Sequence, residues 1–402
     1  MTETSYPPHA LDGITVLDAA TLVAGPLIAT YLGEYGAEII KIEQPGSGDP
    51  IRQWGSSKDG VNLMWKSLSR NKKSVSLNLR AQRGQEMLRQ LAATADVLIV
   101  NTRPTTLRTW SLTYERLSAA NPGLVMVHVT GYGAGGPYSD RPGFGTIGEA
   151  MSGFAHLTGE PDGPPTLPGL MLADCIAGVH GAFAVATALR YRERTGNGQL
   201  IDLSLLEPIA RFAEQATLTY DQLGVVPGRE GNRWSISVPR NTYQTGDRQW
   251  IALSGSSPTI ALRVYDAIGR PELKEDPEYA DPSRRIQNRD AVDDLIARWV
   301  RARPLTEVLA RFAATGVAAG PVYDAAQLMA DPHLAARGTF VTVPDEDLDR
   351  VRVQAPVARM SRTPGQIRHL GRTVGADNTT VYGRLLGLTS QDLQQLRSQG
   401  LI

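Results

Sequence analysis

Through the first half of the chain, short apolar runs alternate with longer stretches of helical period. The run Ile14–Asp18 predicts a buried strand. Gly25-Pro26 and the periodic stretch Leu27–Tyr35, stopped by Gly36, predict a helix. Glu38–Ile42 predicts a second strand and Ser74–Leu77 a weaker third. Residues 82–95 predict a helix, Asp96–Val100 a fourth strand and Leu124–Val129 a fifth. Strands alternating with helices of about 10–15 residues build βαβ units and a parallel sheet. Residues 133–145 are rich in glycine and proline and predict a loop. A long helix is expected from about Ala173 to Arg194, stopping at Thr195-Gly196-Asn197-Gly198, with a strand over Gln199–Leu203 after it. Residues 220–240 are polar and irregular, Trp250–Ser254 restarts the strand pattern, and 259–320 read as mainly helical with a break at Gly320-Pro321. A polar helix is expected near 389–398.

This organisation separates a large α/β domain with its linker, 1–224, from a small domain, 225–325, and a tail, 326–402. The length of 402 residues fits two or three domains. Hydrophobic residues at 42% and charged residues at 20% allow a large core. Lys plus Arg equals Asp plus Glu, 41 each, which argues against a nucleic-acid binder working by bulk charge. A small basic pocket for one anionic ligand remains open. The single cysteine, Cys175, excludes a disulfide framework or a cysteine zinc site within the chain. The six histidines show no metal-ligand spacing, and neither a G-x-S-x-G nor a P-loop motif is present, so no metal site or serine-hydrolase triad is expected. The opening MTETSYPPHALDG lacks a basic region followed by an apolar run, so no secretory leader is expected. The weakly polar stretch Ile176–Leu189 contains His180 and reads as too short and too polar to span a bilayer. The expectation is a soluble, cytoplasmic protein without nucleic-acid or membrane partners.

Four features carry candidate chemistry. Asp18, Gln44, Asn101 and Gly131 each follow the C-terminal end of a predicted strand, where open parallel sheets bind ligands, although such loops are polar in any case. Gly131-Tyr132-Gly133-Ala134-Gly135-Gly136 matches G-x-G-x-x-G, but Pro137 and Arg141-Pro142-Gly143 keep the chain in a loop where a dinucleotide site needs a helix. A glycine loop offering free backbone N–H groups to a thioester or another ligand is the better reading. Asp174 opens a helix rich in small residues. There the helix dipole favours an ionised carboxylate, and a partly desolvated carboxylate is a nucleophile. Local sequence alone leaves an ordinary helix-capping aspartate as the simpler reading. Cys175 reads as a small packed residue. Lys41, Arg52, Lys72, Lys73, Arg80, Arg103 and Arg108 are candidate phosphate ligands, each alone equally a solvated surface charge.

A further set of motifs runs in order along the chain: Leu11-Asp12-Gly13-Ile14 to Asp18, Ala24-Gly25-Pro26, Leu32–Glu43, Gly46-Ser47-Gly48-Asp49 and Asn71-Lys72-Lys73-Ser74. They continue with Ala95-Asp96-Val97 and Asn101, Gly131-Tyr132-Gly133 with Gly136-Pro137-Tyr138, the helix at Asp174, Thr195–Gln199 and Leu385-Leu386-Gly387-Leu388. In this order and spacing the chain resembles the family III CoA-transferases, which include formyl-CoA transferase, carnitine CoA-transferase and the α-methylacyl-CoA racemases, and the resemblance covers nearly the whole chain. It implies a Rossmann-like large domain built from both ends of the chain, a smaller α+β middle domain, and an interlocked homodimer. It implies that Asp174 attacks an acyl-CoA thioester, giving an aspartyl anhydride and then an aspartyl-CoA thioester that passes CoA to a carboxylic acid. It implies no tightly bound cofactor, with coenzyme A and acyl-CoA as substrates. Positions matching the family's CoA site are Val23, Ala24, Gln44, Leu77, Arg80, Asn101, Thr102, Arg103, Arg108 (one place out of register), Thr130, Gly131, Tyr132 and Gly133.

Departures from the family pattern sort its branches. Gln44 and Ala134 stand where formyl-CoA transferase has an arginine and a glutamate, and Gly231–Ser237 stands where it has a glycine-run loop over the intermediate. The racemase branch needs a histidine in a segment that here reads Arg141-Pro142-Gly143-Phe144-Gly145, and phenylalanine moves no proton. Gly143–Thr146, Glu149–Phe154 and Gly163–Thr166 resemble the branch using succinyl-CoA and four- or five-carbon dicarboxylates. The alternatives are a racemase or epimerase, a non-catalytic CoA-binding protein of the same fold and, more distantly, a nicotinamide-dependent dehydrogenase.

Overall fold

The computed structural model describes residues 9–402; the first eight residues of the opening segment read above for a leader lie outside them. Six parallel strands form the central sheet: β1 (Thr15–Asp18), β2 (Glu38–Glu43), β3 (Lys72–Ser76), β4 (Val97–Val100), β5 (Val125–Thr130) and β6 (Leu200–Ser204). Their order is β3-β2-β1-β4-β5-β6, with the direction of winding reversing between β1 and β4. The weak third strand is an edge strand, where half its pairing is missing.

Alternation along these strands feeds two cores, one on each face, because successive strand side chains point opposite ways. Val16, Ile39, Val97, Ile99, Val125 and Val127 pack with helices α1 (Ala24–Glu34) and α4 (Leu172–Thr195). Leu17, Ile40, Ile42, Leu98 and Val100 pack with helix α2 (Gln82–Ala92) and with Val381, Tyr382 and Leu393 near the end of the chain. The C-terminal segment is tied in by polar bonds too: the Tyr382 hydroxyl donates to the Ser76 carbonyl at 2.8 Å, and the Asn78 N–H donates to the Leu401 carbonyl at 2.8 Å.

Two compact units emerge. One takes in the chain up to Phe154, Leu167–Thr217 and Ala335–Ile402; the other comprises Ala155–Thr166 and Leu218–Leu334. Boundaries expected near 225 and 325 thus lie at 218 and 334, and a twelve-residue piece before the long helix joins the smaller unit. That unit has a three-stranded antiparallel sheet, Ala319–Pro321, Trp250–Ser254 and Arg240–Gln244, backed by helices Pro258–Ala267, Arg289–Arg301 and Leu305–Ala314. Its core contains Ile251, Tyr265, Ile296 and Phe312. Within it, buried Asp293 accepts from Tyr243 at 2.6 Å, Arg233 at 2.7 Å and Asn241 at 2.9 Å, anchoring the segment Gly231–Ser237 through an arginine.

Three local expectations change. Gly320-Pro321 is not a break but part of a strand, because pairing with Ala252 and Ile251 supplies the partners that local sequence does not show. Helix Glu214–Leu223 runs into the stretch read as irregular. The long helix lies where expected, at Leu172–Thr195; what changes is the span reading, because its 24 residues are, by length and composition alone, enough to cross a membrane. Its small residues are committed to packing: a Cβ at Gly178 would lie 2.8 Å from Leu27 Cβ, and one at Gly181 would lie 2.3 Å from Ile28 Cδ1.

Candidate active site

The sheet places the candidate residues on one side. Val23 and Ala24 follow β1, Gln44 follows β2, Leu77 and Arg80 follow β3, Asn101, Thr102 and Arg103 follow β4, and Thr130 ends β5 with Gly131–Gly133 behind it. In such sheets the crevice opens where the strand order reverses, at the C-terminal ends of β1 and β4 here. The loops from those two ends are stitched together: Asn101 Oδ1 accepts from the Thr21 N–H at 3.0 Å, and Asn101 Nδ2 donates to the Thr21 carbonyl at 2.9 Å.

Asp174 enters from helix α4, in its first turn. Its carboxylate faces the Ala24 N–H, at the start of α1, and its own N–H, both of which favour its ionised form. Gly145, first residue of helix α3 (Gly145–Met151), faces it: a Cβ there would lie 2.0 Å from Asp174 Oδ2. Only a residue without a side chain leaves that carboxylate oxygen its room. Glu149 of α3 is buried and accepts from the Ala173 N–H at 3.2 Å.

The helix dipole is not what sets the pKa of Asp174. A first-turn carboxylate gains about 0.3–1 kcal/mol from the helix dipole, less than one pKa unit. Burial, followed by the like charge of Glu149, outweighs that and the two N–H donors, and the carboxyl is pushed up to about 6. It is still mainly ionised at neutral pH, but it is poised and partly desolvated, as a nucleophile requires. Burial, then Asp174 and Glu149, push the neighbouring Cys175 thiol up, so it is no competing thiolate. Glu149 carried no local motif of its own; only the packing of α3 against α4 brings it here.

Two other groups are redistributed. The glycine loop starts no helix, so a dinucleotide fingerprint is absent. Its free N–H groups are fewer than expected: Gly133 donates to Thr130 Oγ1 at 2.9 Å and Ala134 donates to both oxygens of Asp202. Among the basic candidates, Lys41 and Lys72 are fully buried in ion pairs, Arg52 is bound to Glu43 at 2.7 Å, and Lys73 is bound to Glu38 at 2.5 Å. Their charges are committed to carboxylates: Lys41 lies within β2, Lys72 and Lys73 open β3, and Arg52 lies in the short helix Pro50–Gln53. Arg80, Arg103 and Arg108 are exposed. Leu77 is buried in the core, which leaves only its backbone for a ligand.

The chain is similar to known proteins over nearly its whole length. The chain is 39% identical over 397 residues to the succinyl-CoA–D-citramalate CoA-transferase of Chloroflexus aurantiacus, covering 98% of this chain and 99% of that one. It is 40% identical to the beta subunit of the succinyl-CoA–L-malate CoA-transferase of the same organism, over 98% of each chain. A crystal structure of a CaiB/BaiF family protein from Brucella suis superposes with a TM-score of 0.83 at 30% identity, covering 94% of this chain and all of that one. The model of CoA-transferase family III matches residues 11–378, and the chain belongs to that family of CoA-transferases.

Proposed function

We propose that this enzyme moves CoA from succinyl-CoA to a four- or five-carbon dicarboxylic acid, with Asp174 as the covalent carrier. The observation that supports this most directly is the Asp174 carboxylate itself: poised near pH 6, faced by the Ala24 N–H, and given room by Gly145 beside the reversal point of the sheet. An Asp174 oxygen attacks the thioester carbonyl, forming a succinyl-aspartyl anhydride and releasing CoA thiolate. The thiolate attacks the aspartyl carbonyl, giving an aspartyl-CoA thioester and free succinate. The acceptor carboxylate attacks that thioester, forming a new anhydride and again releasing the thiolate. The thiolate then attacks the acceptor's acyl carbon, giving acceptor-CoA and the original carboxylate. Each carboxylate exchange conserves the thioester's free energy, so no nucleotide is consumed, and water must be kept from both intermediates.

The names of the similar Chloroflexus enzymes support the donor and acceptor class. Phe144, directly before Gly145, stands where racemisation would need a histidine, which favours transfer over the racemase reading. The exposed Arg80, Arg103 and Arg108 and the backbone of Gly131–Gly133 are the proposed CoA contacts, together with Val23, Ala24, Gln44, Leu77, Asn101, Thr102, Thr130 and the Tyr132 side chain. Val179, Phe183 and Phe212 are more than half exposed in the single chain, and Phe183 and Phe212 are over two-thirds exposed. An apolar face of that kind suits a second copy, as in an interlocked homodimer. We place the enzyme in the cytoplasm, where its CoA substrates are made.

The decisive experiment incubates the protein with succinyl-CoA and a panel of dicarboxylates and follows acyl-CoA products by mass spectrometry. Borohydride or hydroxylamine trapping should mark Asp174, and Asp174→Ala should abolish transfer while retaining CoA binding. Undiminished turnover by Asp174→Ala overturns the reading; absence of transfer by the wild type with every donor favours a CoA-binding protein instead. Light scattering should give twice the chain mass.

A further inference from the structure

Four charged side chains sit beneath the loop between β1 and α1 with at most 1% exposure: Asp18, Lys41, Asp49 and Lys72. Lys41 Nζ lies 2.8 Å from Asp49 Oδ2 and 3.7 Å from Asp18 Oδ1, and Lys72 Nζ lies 2.9 Å from Asp18 Oδ2. Two buried cations thus balance two buried anions. Stability alone is a poor account of such a group, because packed apolar residues of similar volume usually serve a fold as well or better.

Most of their remaining bonds converge on one stretch of backbone, while Asp49 Oδ1 also accepts from the Ile51 N–H at 3.0 Å. Lys41 Nζ donates to the Ala20 carbonyl, and Lys72 Nζ donates to the Pro26 carbonyl at 2.6 Å. Asp49 Oδ1 accepts from the Leu22 N–H at 3.1 Å, and Asn101 takes both polar atoms of Thr21. Leu22 is held at a φ of 67°, a conformation that a leucine adopts only when its surroundings impose it. Between Leu22 and Pro26 lies Ala24, whose N–H faces the Asp174 carboxylate and favours its ionised form.

We propose that the buried quartet Asp18, Lys41, Asp49 and Lys72 is a positioning device for the reaction, fixing residues 19–26 so that the Ala24 N–H stays aimed at the Asp174 carboxylate. The quartet touches no reacting atom. It acts through the loop, whose single donor holds the nucleophile's orientation and opposes the burial that would otherwise protonate it. This rests on Asp174 being the nucleophile.

The test is the double variant Lys41→Met/Asp49→Asn, which removes one buried charge of each sign and leaves the remaining pair balanced. The kcat should fall at least 10-fold, and the acid limb of its pH profile should move upward, because Asp174 loses a donor that favours its ionised form. A loss that merely lowers the folded fraction scales activity at every pH and leaves the limb where it is. A folded double variant with unchanged kcat and acid limb overturns the proposal. Should the variant fail to fold, hydrogen exchange on the wild type decides instead. The Ala24 amide should be protected well beyond an open helix end and should lose that protection in Asp174→Ala, whereas exchange within seconds in the wild type overturns the proposal. Turnover by Asp174→Ala would instead strike the nucleophile reading, so the two failures are told apart.

Discussion

Glu149 and Asp174 share one helix N-terminus: the buried Glu149 carboxylate accepts from the Ala173 N–H at 3.2 Å, and its charge bears on the carboxylate of the next residue. One carboxylate accepts from the first turn of the helix, and its like charge adds to the burial that raises the other toward neutral pH.

Replacing the first should therefore retune the second. In Glu149→Gln the amide oxygen still accepts from Ala173, but the like charge is gone. Asp174, pushed up to about 6 first by burial and then by Glu149, should titrate lower. The acid limb of kcat against pH should move down, and a limb that stays in place or rises would show that Glu149 does not act on Asp174 by charge.

Gly145 should tolerate nothing larger. A Cβ there falls 2.0 Å from Asp174 Oδ2, well inside contact, although alanine suits a helix better than glycine. Gly145→Ala should keep or slightly raise the melting temperature while lowering kcat at least 100-fold. Near-normal turnover would mean that Asp174 does not react in the conformation described.

Asp174 also carries a stability penalty with a definite sign. Its pKa is raised from 3.8 to about 6 in the folded chain, so the native state binds the proton more tightly than the unfolded one. Stability is highest below pH 3.8 as far as this group is concerned, declines as pH rises to about 6, and stays reduced above it. Asp174→Asn should thus be inactive yet more stable at pH 7.5, by about 2 kcal/mol allowing for partial solvation. Denaturant titration at pH 7.5 checks it, and equal or lower stability contradicts the burial argument.

Helix α4 leaves no slack where it crosses α1. A Cβ at Gly181 would press on Ile28 Cδ1 at 2.3 Å. Gly181→Ala gains about 1 kcal/mol of helix propensity, but overpacking costs about 1–3 kcal/mol. A net loss is expected, read as a melting temperature lowered by a few degrees.

The alternation of short apolar runs with helical stretches was enough to predict the parallel sheet, because each β-strand buried on two faces has a compact local signature. Asp174 was visible for a different reason: its place in an ordered set of motifs, since its immediate neighbours fit an ordinary first turn. The small residues after it announced a tight crossing without saying with what. Lys41 and Lys72 looked like phosphate ligands because sequence shows charge but not depth; folding buried both against Asp18 and Asp49. Gly320-Pro321 looked like a break because strand pairing is supplied from a partner nearly 70 residues earlier. The chain by itself thus determined the periodic elements and the presence of the carboxylate proposed as nucleophile. Which carboxylate neighbours it, which N–H faces it and which glycine gives it room were decided only by tertiary contact, because those relations join residues 25 to 150 positions apart and leave no periodic trace between them.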